Sequence, residues 1–382
     1  MAEKIAICGF GRIGRCITRA ALAEGIFVPA AIADVQDFPT LAALFSVDTD
    51  YGRWPELVSV RERTLVVGER RIAYLDARQG TPDWGALGIG VVVDCTGRAT
   101  TRAGAQAHLD RGAKRVLVSA PSKTRQDCDA VLLPGINLDT YDPTQHRIIS
   151  MGSCTTNALA PVVKVLLGEP FGIRRGFFST VHAYTATQAL IDAPLKDRRD
   201  SWAAGRNIIP SSSGAAKALQ YIWPDLVITG KAYRVPVSTG SIVELNVELK
   251  QSTTPDTVWF AFRQAAAAPP LQGVMSVLED EHASCRIVGD RHSCIVDLPL
   301  VQVLDGAMVS VAAWYDNQYG YACRLAELAA SSPEPFSVPG RPPYARRWIP
   351  TSGAFSRLHF FNFPNSTIRL LVRGRVNKAG RG

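Results

Sequence analysis

A glycine-rich turn near the N terminus restricts the fold of this 382-residue chain more than any other feature. It has the pattern G-x-G-x-x-G and is formed by Gly9, Phe10, Gly11, Arg12, Ile13 and Gly14. The apolar segment EKIAIC before it is typical of a buried strand, and the amphipathic segment CITRAALAEG after it predicts a helix. Glycines in this pattern allow a tight turn, a close approach to a pyrophosphate and close helix packing. The turn therefore predicts a dinucleotide-binding βαβ unit.

Asp34 supports this prediction by its position. It ends a second strand-like segment, IFVPAAIAD, about 20 residues after Gly14. An acid at that spacing binds the ribose diol of the adenosine. Because a carboxylate repels a 2′-phosphate, NAD is favoured over NADP as the cofactor.

The chain divides into parts of different character. In residues 1–152, strand-like segments such as VVVDCTG and KRVLVSAPS alternate with helical ones, which predicts a doubly wound parallel sheet. In residues 153–316, strand-like segments such as FFSTVHAYTAT, SIVELNVELK and SCIVDLPLVQVL come with fewer helices, which predicts a mostly antiparallel sheet. A helix at about 317–330 is predicted to complete the first domain. The fold class is therefore α/β, a Rossmann dinucleotide-binding domain followed by an α+β catalytic domain.

Cys154 is a candidate nucleophile. It directly precedes an apolar helical segment, so the positive end of a helix dipole would stabilise its thiolate. Pro161 within that segment allows a kink or a late start of the helix. Of the six histidines, only His182 lies in a strand-like run that then breaks, as expected of a base presented at a strand end. A free Cys is more often a small core residue, so the residues alone leave both interpretations open.

A thiolate beside a hydride acceptor suggests one reaction. The thiolate adds to an aldehyde, hydride leaves for the nicotinamide, and water, phosphate or coenzyme A cleaves the thioester. Phosphate would need hydroxyls, backbone N–H groups and arginines. The candidates are Lys196, Arg198, Arg199, Ser211, Ser212, Ser213, Gly214 and Arg234. Each of them is also compatible with an ordinary loop or surface position.

Five motifs occur in the order GFGRIGR, SCTTN, VHAYTATQ, IIPSSSGAAKA and WYDNQYGY. From about residue 3 to about residue 330 the chain resembles the phosphorylating glyceraldehyde-3-phosphate dehydrogenase family. The resemblance implies oxidation and phosphorylation of glyceraldehyde 3-phosphate to 1,3-bisphosphoglycerate, with NAD and inorganic phosphate. It implies that Cys154 forms the thioacyl enzyme and that His182 is its base. It also implies a homotetramer, in which a loop at about 183–205 reaches the cofactor of a neighbouring subunit.

The resemblance assigns further residues to binding. For the cofactor it implies Thr96, Ser119, Asn317 and Tyr321, with Asn317 holding the nicotinamide carboxamide. For the phosphate of the substrate it implies Thr185 and Arg234. For inorganic phosphate it implies Ser153, Thr155, Ser213 and Gly214. Arg199 is chosen as the cation of that site, because Asp200 stands where the family often has an arginine.

Ala158 is a departure from the family pattern. Many members have a second cysteine four residues after the nucleophile, and this chain has Ala158 there. We therefore expect Cys154 to resist intramolecular oxidation. Cys8 is another departure, since the family usually has asparagine at that position.

The charge of the chain is concentrated at one end. The formal net charge is +8, and residues 331–382 contain nine Lys or Arg and one acid, Glu334, so the remainder is balanced. This basic extension begins Pro-rich and shows no helical or strand period, which predicts disorder. The simplest interpretation gives it no role, and the alternative is an arm for an acidic partner or nucleic acid. Nucleic acid is otherwise not expected as a partner.

The cellular context follows from several absent patterns. The eight cysteines form no C-x-x-C pair, and no zinc-like spacing occurs, so no metal site is expected. No apolar run approaches the ~20 residues of a membrane span, and the N terminus is typical of a strand rather than a signal peptide. These patterns predict a cytoplasmic protein with free thiols.

Two other functions remain open. One is a sister enzyme that oxidises erythrose 4-phosphate with water as acceptor, against which the hydroxyls of HAYTATQ and SSSGAAKA speak. The other is a non-catalytic paralog that binds acidic partners through its extension. The presence of Cys154, His182, Asn317 and Arg234 speaks against it.

Overall fold

A computed structural model describes residues 3–331, so most of the basic extension, from residue 332 onward, lies outside the described residues. The strands of the N-terminal part are β1 (Lys4–Cys8), β2 (Ala31–Asp34), β3 (Val47–Asp48), β4 (Gly52–Arg53), β5 (Val58–Arg61), β6 (Thr64–Val67), β7 (Arg70–Asp76), β8 (Ile89–Asp94), β9 (Arg115–Val118), β10 (Ala130–Val131) and β11 (Ile148–Ser150).

The N-terminal sheet has nine strands in the order β10-β11-β9-β8-β1-β2-β7-β6-β5, and β3 pairs with β4 alone. All neighbours from β10 to β7 are parallel, while β6 and β5 add an antiparallel edge. The doubly wound parallel sheet is therefore confirmed. The strand predicted over residues 26–34 is shorter than expected, because Pro29 lacks a backbone N–H and pairing begins only at Ala31.

The C-terminal sheet contains β12 (Ile173–Ala183), β13 (Ile209–Ser212), β14 (Ile228–Val235), β15 (Ser241–Leu249), β16 (Met275–Leu278), β17 (Cys294–Asp297), β18 (Gln302–Leu304) and β19 (Met308–Tyr315). Its order is β13-β14-β12-β15-β19-β17-β16, with β18 beside β19. Only the β12–β14 and β16–β17 pairs are parallel, so the mostly antiparallel sheet is confirmed. The strand predicted over SCIVDLPLVQVL is interrupted by a 3₁₀ turn at Leu298–Leu300, which contains a proline.

The helices are α1 (Arg12–Ala23), α2 (Phe38–Ser46), α3 (Arg102–Asp110), α4 (Cys154–Leu167), α5 (Ala215–Ile222), α6 (Pro255–Ala267) and α7 (Tyr319–Ala330). Helix α4 begins at Cys154 and continues through Pro161. None of the helices within residues 3–331 combines the length and apolar character needed to cross a membrane.

Helix α4 is the central element of the core. It is buried along most of its length, and it packs against β15, β17 and β19 of the C-terminal sheet and against α5, α6 and α7. Helix α7 in turn packs against α1, which follows the glycine-rich turn. One continuous apolar cluster joins these helices. The N terminus of α4 is thereby held rigidly, while the division of the chain at residue 152 stays a prediction.

Candidate active site

Cys154 is the first residue of α4, and the residue before it caps the helix. Ser153 Oγ accepts the Thr156 N–H at 3.0 Å, and Thr156 Oγ1 accepts the Ser153 N–H at 3.1 Å. This reciprocal pair is a capping box, so the start of the helix is defined by local sequence. Cys154 is half-buried and lies where the free N–H groups and the dipole of α4 favour negative charge.

His182 is the nearest titratable neighbour of that thiol. It lies at the end of β12, it is 3% exposed, and its Nε2 is 3.3 Å from Cys154 Sγ. Since β12 and β14 pair in parallel with His182 opposite Arg234, the sheet register also brings the guanidinium to the imidazole. The structure thus joins three of the predicted residues, Cys154, His182 and Arg234, in one cluster.

Two neighbours make opposite demands on His182 Nδ1. The Ala183 carbonyl lies 2.6 Å away and requires a proton on Nδ1, while Arg234 Nη1, also at 2.6 Å, requires a lone pair there. In the first tautomer Nε2 presents a lone pair to the thiol, and in the second it presents a proton. The same ring can therefore face Cys154 as a base or as a donor.

Burial keeps the cysteine–histidine pair neutral. It raises the pKa of the Cys154 thiol, although the Arg234 charge and hydrogen bonds from Thr155 act in the opposite direction. Burial, followed by the Arg234 charge, lowers the pKa of His182 to about 3. The pair therefore rests as thiol and neutral imidazole, and the thiolate forms when the proton moves to Nε2.

Tyr315 is a site residue that the sequence analysis missed. Its hydroxyl is buried at 3.0 Å from Thr155 Oγ1 and 2.8 Å from Thr180 Oγ1, and its ring meets the His182 ring edge-on at 5.8 Å. Tyr315 thus braces the imidazole and the first turn of α4. The WYDN motif contained this residue, but nothing local in it predicts that a β19 side chain reaches α4.

The glycine-rich turn has the geometry that its motif requires. A Cβ on Gly14 would lie 2.0 Å from the Gly9 carbonyl oxygen, and Gly9 has a φ of +89° with the backbone of Cys95 and Thr96 2.8 Å from its Cβ position. Gly11, in contrast, has no atom within 4 Å of its Cβ position. It also precedes α1 without a side-chain cap. The start of α1 is therefore open and has free N–H groups, as a pyrophosphate site needs.

Asp34 and Arg12 flank this turn. The Asp34 carboxylate accepts the Phe10 N–H at 2.5 Å and the Gln36 N–H at 2.9 Å, which orients it at the carboxyl end of β2. The Arg12 side chain is committed elsewhere, since it forms ion pairs with Asp48 and Asp50. Only the backbone of Arg12, at the first position of α1, is placed to face a phosphate.

Thr96 and Ser119 follow β8 and β9, two adjacent parallel strands. The Asp94 carboxylate holds Thr96 by accepting its N–H at 3.1 Å and its hydroxyl at 2.8 Å, and the Asp94 carbonyl accepts the Ser119 N–H at 2.9 Å. Both predicted residues therefore lie at the strand ends where this fold binds its cofactor.

The possible metal-ligand atoms of Cys8, Asp94 and His108 lie within 4.8 Å of one another, a spacing that is compatible with a metal site. The Trp84 indole N–H donates to His108 Nδ1 at 3.1 Å, and His108 Nε2 lies 3.1 Å from Asp94. Because an indole N–H only donates, the imidazole proton must be on Nε2, and neither ring nitrogen is free for a metal. We interpret the group as hydrogen-bonded support for Asp94.

Asn317 lies where β19 gives way to α7, and it is 5% exposed. Its Oδ1 accepts the Gly240 N–H and the Ser241 hydroxyl, each at 3.1 Å. These donors orient the amide so that its NH₂ group points away from them. Ser241 Oγ also accepts the Ala183 N–H at 3.1 Å. Ser241 therefore links Asn317 by hydrogen bonds to the end of β12, where His182 lies.

Tyr321 is buried, and its hydroxyl donates to the Gly152 carbonyl at 2.9 Å.

The remaining phosphate candidates lie on loops and helix ends. Thr185 follows β12 and hydrogen-bonds with Thr187 and Gln188. Ser213 and Gly214 precede α5, whose N terminus has no side-chain cap. Arg199 is exposed, and no hydrogen bond or ion pair between described residues joins it to Cys154, His182 or Arg234.

Comparison with known proteins shows similarity to one family along most of the described region. The family model described as "Glyceraldehyde 3-phosphate dehydrogenase, NAD binding domain" matches residues 3–102, and the one described as "Glyceraldehyde 3-phosphate dehydrogenase, C-terminal domain" matches residues 153–317. The glyceraldehyde-3-phosphate dehydrogenase of Streptomyces coelicolor is 44% identical over 332 residues, covering 86% of this chain and 98% of that protein.

The chain belongs to the glyceraldehyde-3-phosphate dehydrogenase family. The glyceraldehyde-3-phosphate dehydrogenase of Kitasatospora aureofaciens is 46% identical over 326 residues, which cover 84% of this chain and 96% of that protein. That of Geobacillus stearothermophilus is 43% identical over 335 residues, covering 86% and 98%. Membership in the glyceraldehyde-3-phosphate dehydrogenase family makes the chain an oxidoreductase with NAD as its cofactor. The open start of α1, the space at Gly11 and the oriented Asp34 fit that cofactor.

Proposed function

We propose that the chain catalyses the NAD-dependent oxidation and phosphorylation of glyceraldehyde 3-phosphate to 1,3-bisphosphoglycerate through a thioacyl enzyme on Cys154. The observation that carries this proposal is the 3.3 Å approach of Cys154 Sγ to His182 Nε2 at the N terminus of α4. A thiol next to a buried neutral base can stay protonated at rest and lose its proton to that base when the substrate is attacked.

His182 serves first as the base. With the Nδ1 proton held by the Ala183 carbonyl, the Nε2 lone pair takes the thiol proton while Sγ bonds to the aldehyde carbon. The proton then remains on Nε2, where it faces the aldehyde oxygen as that oxygen becomes negative. The N–H groups in the first turn of α4 add to this stabilisation.

Oxidation yields the thioester. NAD, when bound, accepts the hydride that leaves the former aldehyde carbon. Asn317 would hold the nicotinamide carboxamide through its NH₂ group, since the Asn317 oxygen is occupied by Gly240 and Ser241. Thr96, Ser119 and Tyr321 line or support the same cleft.

Phosphate cleaves the thioester. A phosphate oxygen bonds to the acyl carbon, the carbon–sulfur bond breaks, and Cys154 leaves as the thiolate. For the phosphate of the substrate, Arg234 is the best-placed cation, because its Nε is buried and has no hydrogen-bond partner among the described residues. A buried donor of this kind gains most from an incoming anion. Thr185 supplements Arg234 at the substrate phosphate, and Ser153, Thr155, Ser213, Gly214 and Arg199 supply the inorganic phosphate site.

Thr155 has a partner that the sequence analysis did not expect. Its hydroxyl forms a hydrogen bond with the Tyr315 hydroxyl. To bind phosphate, the Thr155 hydroxyl must share or exchange that hydrogen bond. Its backbone N–H, at the start of α4, is directed at the Cys154 sulfur, where it stabilises negative charge on the thiolate.

The decisive experiment follows NADH formation with glyceraldehyde 3-phosphate, with and without inorganic phosphate. We expect turnover that depends on phosphate and is abolished in Cys154→Ser, which retains NAD binding. A rate that is independent of phosphate, or a higher kcat/KM with erythrose 4-phosphate, would reject the proposal. The variant Cys285→Ser, at an exposed cysteine, is the matched control and should behave as wild type.

We also propose a homotetramer in the cytoplasm. Large apolar side chains are exposed on the loop between β12 and β13, where Leu190 is 81%, Ile191 75% and Trp202 58% exposed. Surfaces of this kind mark protein–protein contacts. All eight cysteines are free, as in proteins of a reducing compartment.

A further inference from the structure

Asp316 is the most heavily hydrogen-bonded carboxylate that the proposed chemistry leaves unused. It directly precedes Asn317 and is 1% exposed. Its oxygens accept hydrogen bonds from the Tyr51 hydroxyl at 2.8 Å, the Thr239 hydroxyl at 3.0 Å and the Gly289 N–H at 2.8 Å. They also accept the backbone N–H groups of Gln318 and Tyr319, each at 2.9 Å.

All five partners of Asp316 are donors, and three of them are backbone N–H groups that cannot reverse. An ionised carboxylate is the one side chain of this size that only accepts. Asparagine at this position would turn an NH₂ group toward a donor, whichever way the amide is placed. The site therefore selects a carboxylate for geometry, since no ion pair with Asp316 occurs among residues 3–331.

The five donors come from separate parts of the chain. Tyr51 lies between β3 and β4 of the N-terminal part, and Thr239 and Gly289 lie in the C-terminal part. Gln318 is the capping residue before α7, and Tyr319 begins that helix. Asp316 thus fixes the turn between β19 and α7 relative to both sheets. The side chain of Asn317 leaves from that same turn, with its oxygen held by Gly240, the residue that follows Thr239.

The structure assigns Asp316 as a positioning residue that holds the Asn317 amide at the nicotinamide end of the cofactor cleft. This inference rests on the proposed function, since it takes Asn317 as the group that orients the nicotinamide. Asp316 touches neither substrate nor cofactor and acts through the turn. Loss of its hydrogen bonds should affect the nicotinamide half of NAD and leave the adenosine half and the cysteine–histidine pair as they are.

The test compares three readouts in Asp316→Asn and wild type by calorimetry and alkylation. The affinity for NAD should fall about tenfold, as expected for the loss of one good hydrogen bond, while the affinity for ADP-ribose, which lacks the nicotinamide, stays within about twofold. The rate and pH profile of Cys154 alkylation by iodoacetamide should stay at wild-type values. An unchanged NAD affinity, an equal loss for NAD and ADP-ribose, or altered alkylation would overturn the inference.

Tyr51→Phe provides a milder variant in case Asp316→Asn does not fold. It removes one donor to Asp316 and keeps the ring that contacts Arg12 and Tyr319. We expect a loss of NAD affinity of about threefold, with ADP-ribose unchanged, and equal effects on both ligands would again overturn the inference. Because neither binding readout involves an aldehyde, these results are independent of whether phosphate-dependent turnover is found.

Discussion

At the scale of single residues, the active pair is defined by what surrounds it. Burial raises the pKa of the Cys154 thiol and lowers the pKa of the His182 imidazole. Both groups are therefore neutral before the reaction begins. The Arg234 charge acts on both groups in the direction that favours a thiolate facing a neutral imidazole. Both residues are predictable from the sequence, but their protonation is not, because burial is a property of the packed structure.

The buried imidazole predicts a pH dependence of stability. The pKa of His182 is about 3 when folded and about 6.5 when unfolded. The unfolded chain therefore binds the proton more tightly, and stability that is present above pH 6.5 is lost as the pH falls toward 3. Between pH 7 and pH 5 the loss from this group is on the order of 2 kcal/mol.

The measurement is the free energy of unfolding of wild type and His182→Gln at pH 7 and pH 5. Glutamine does not titrate, so the variant should lose less stability across this interval, and the carboxylates common to both proteins cancel. Equal losses in the two proteins would show that His182 is not held neutral.

At the scale of elements, two glycines in the same turn should respond in opposite ways. Gly14→Ala places a Cβ 2.0 Å from the Gly9 oxygen and should destabilise the fold by several kcal/mol, about the effect of a severe backbone clash. Gly11→Ala enters open space, so its melting temperature should stay near wild type. If the pyrophosphate approaches Gly11, the affinity for NAD should fall at least about tenfold.

Thermal melts and NAD titration of both variants provide this comparison. Gly11→Ala is its own control for folding, because only binding should change. Wild-type NAD affinity in Gly11→Ala would place the pyrophosphate elsewhere.

Two residues at the N terminus of α4, Ser153 and Thr156, allow helix capping and phosphate binding to be tested separately. Ser153→Ala and Thr156→Val each remove half of the capping box and should cost about 1 kcal/mol. Thr156 is fully buried, whereas Ser153 is half-buried beside the nucleophile. Only Ser153→Ala should raise the KM for phosphate, by about tenfold. Steady-state kinetics with varied phosphate test this, and an equal rise in both variants would assign the effect to helix fraying.

At the scale of the whole molecule, a polar network joins the N-terminal part of the described chain to the C-terminal part. Arg12 of the glycine-rich turn pairs with Asp48 and Asp50, and it also donates to Gln318 at the start of α7. Asp50 accepts from Ser238 of the C-terminal part. This network and the Asp316 hydrogen bonds hold the glycine-rich turn and the start of α7 in a defined relation to the C-terminal part.

The exposed loop between β12 and β13 predicts how the molecule associates. Leu190→Asp combined with Ile191→Asp should convert the proposed tetramer to smaller species, because charge on the apolar surface opposes its burial. Leu57→Asp is the matched control, since Leu57 is 80% exposed in the N-terminal part. Light scattering coupled to size exclusion measures the mass. A control that dissociates as readily, or a wild type that is a monomer, would contradict the proposal.

The sequence by itself determined the βαβ unit, the nature of both sheets and the identity of the candidate nucleophile. These are local signals: glycines allow a tight turn, alternation of helices and strands predicts a parallel sheet, and an apolar helix follows Cys154 at once. Tertiary structure decided which distant groups meet. The end of β12 meets the start of α4, the register of β12 and β14 pairs His182 with Arg234, and Tyr315 and Asp316 reach partners far away in the chain. Such contacts depend on packing against a common core, which no short stretch of residues encodes.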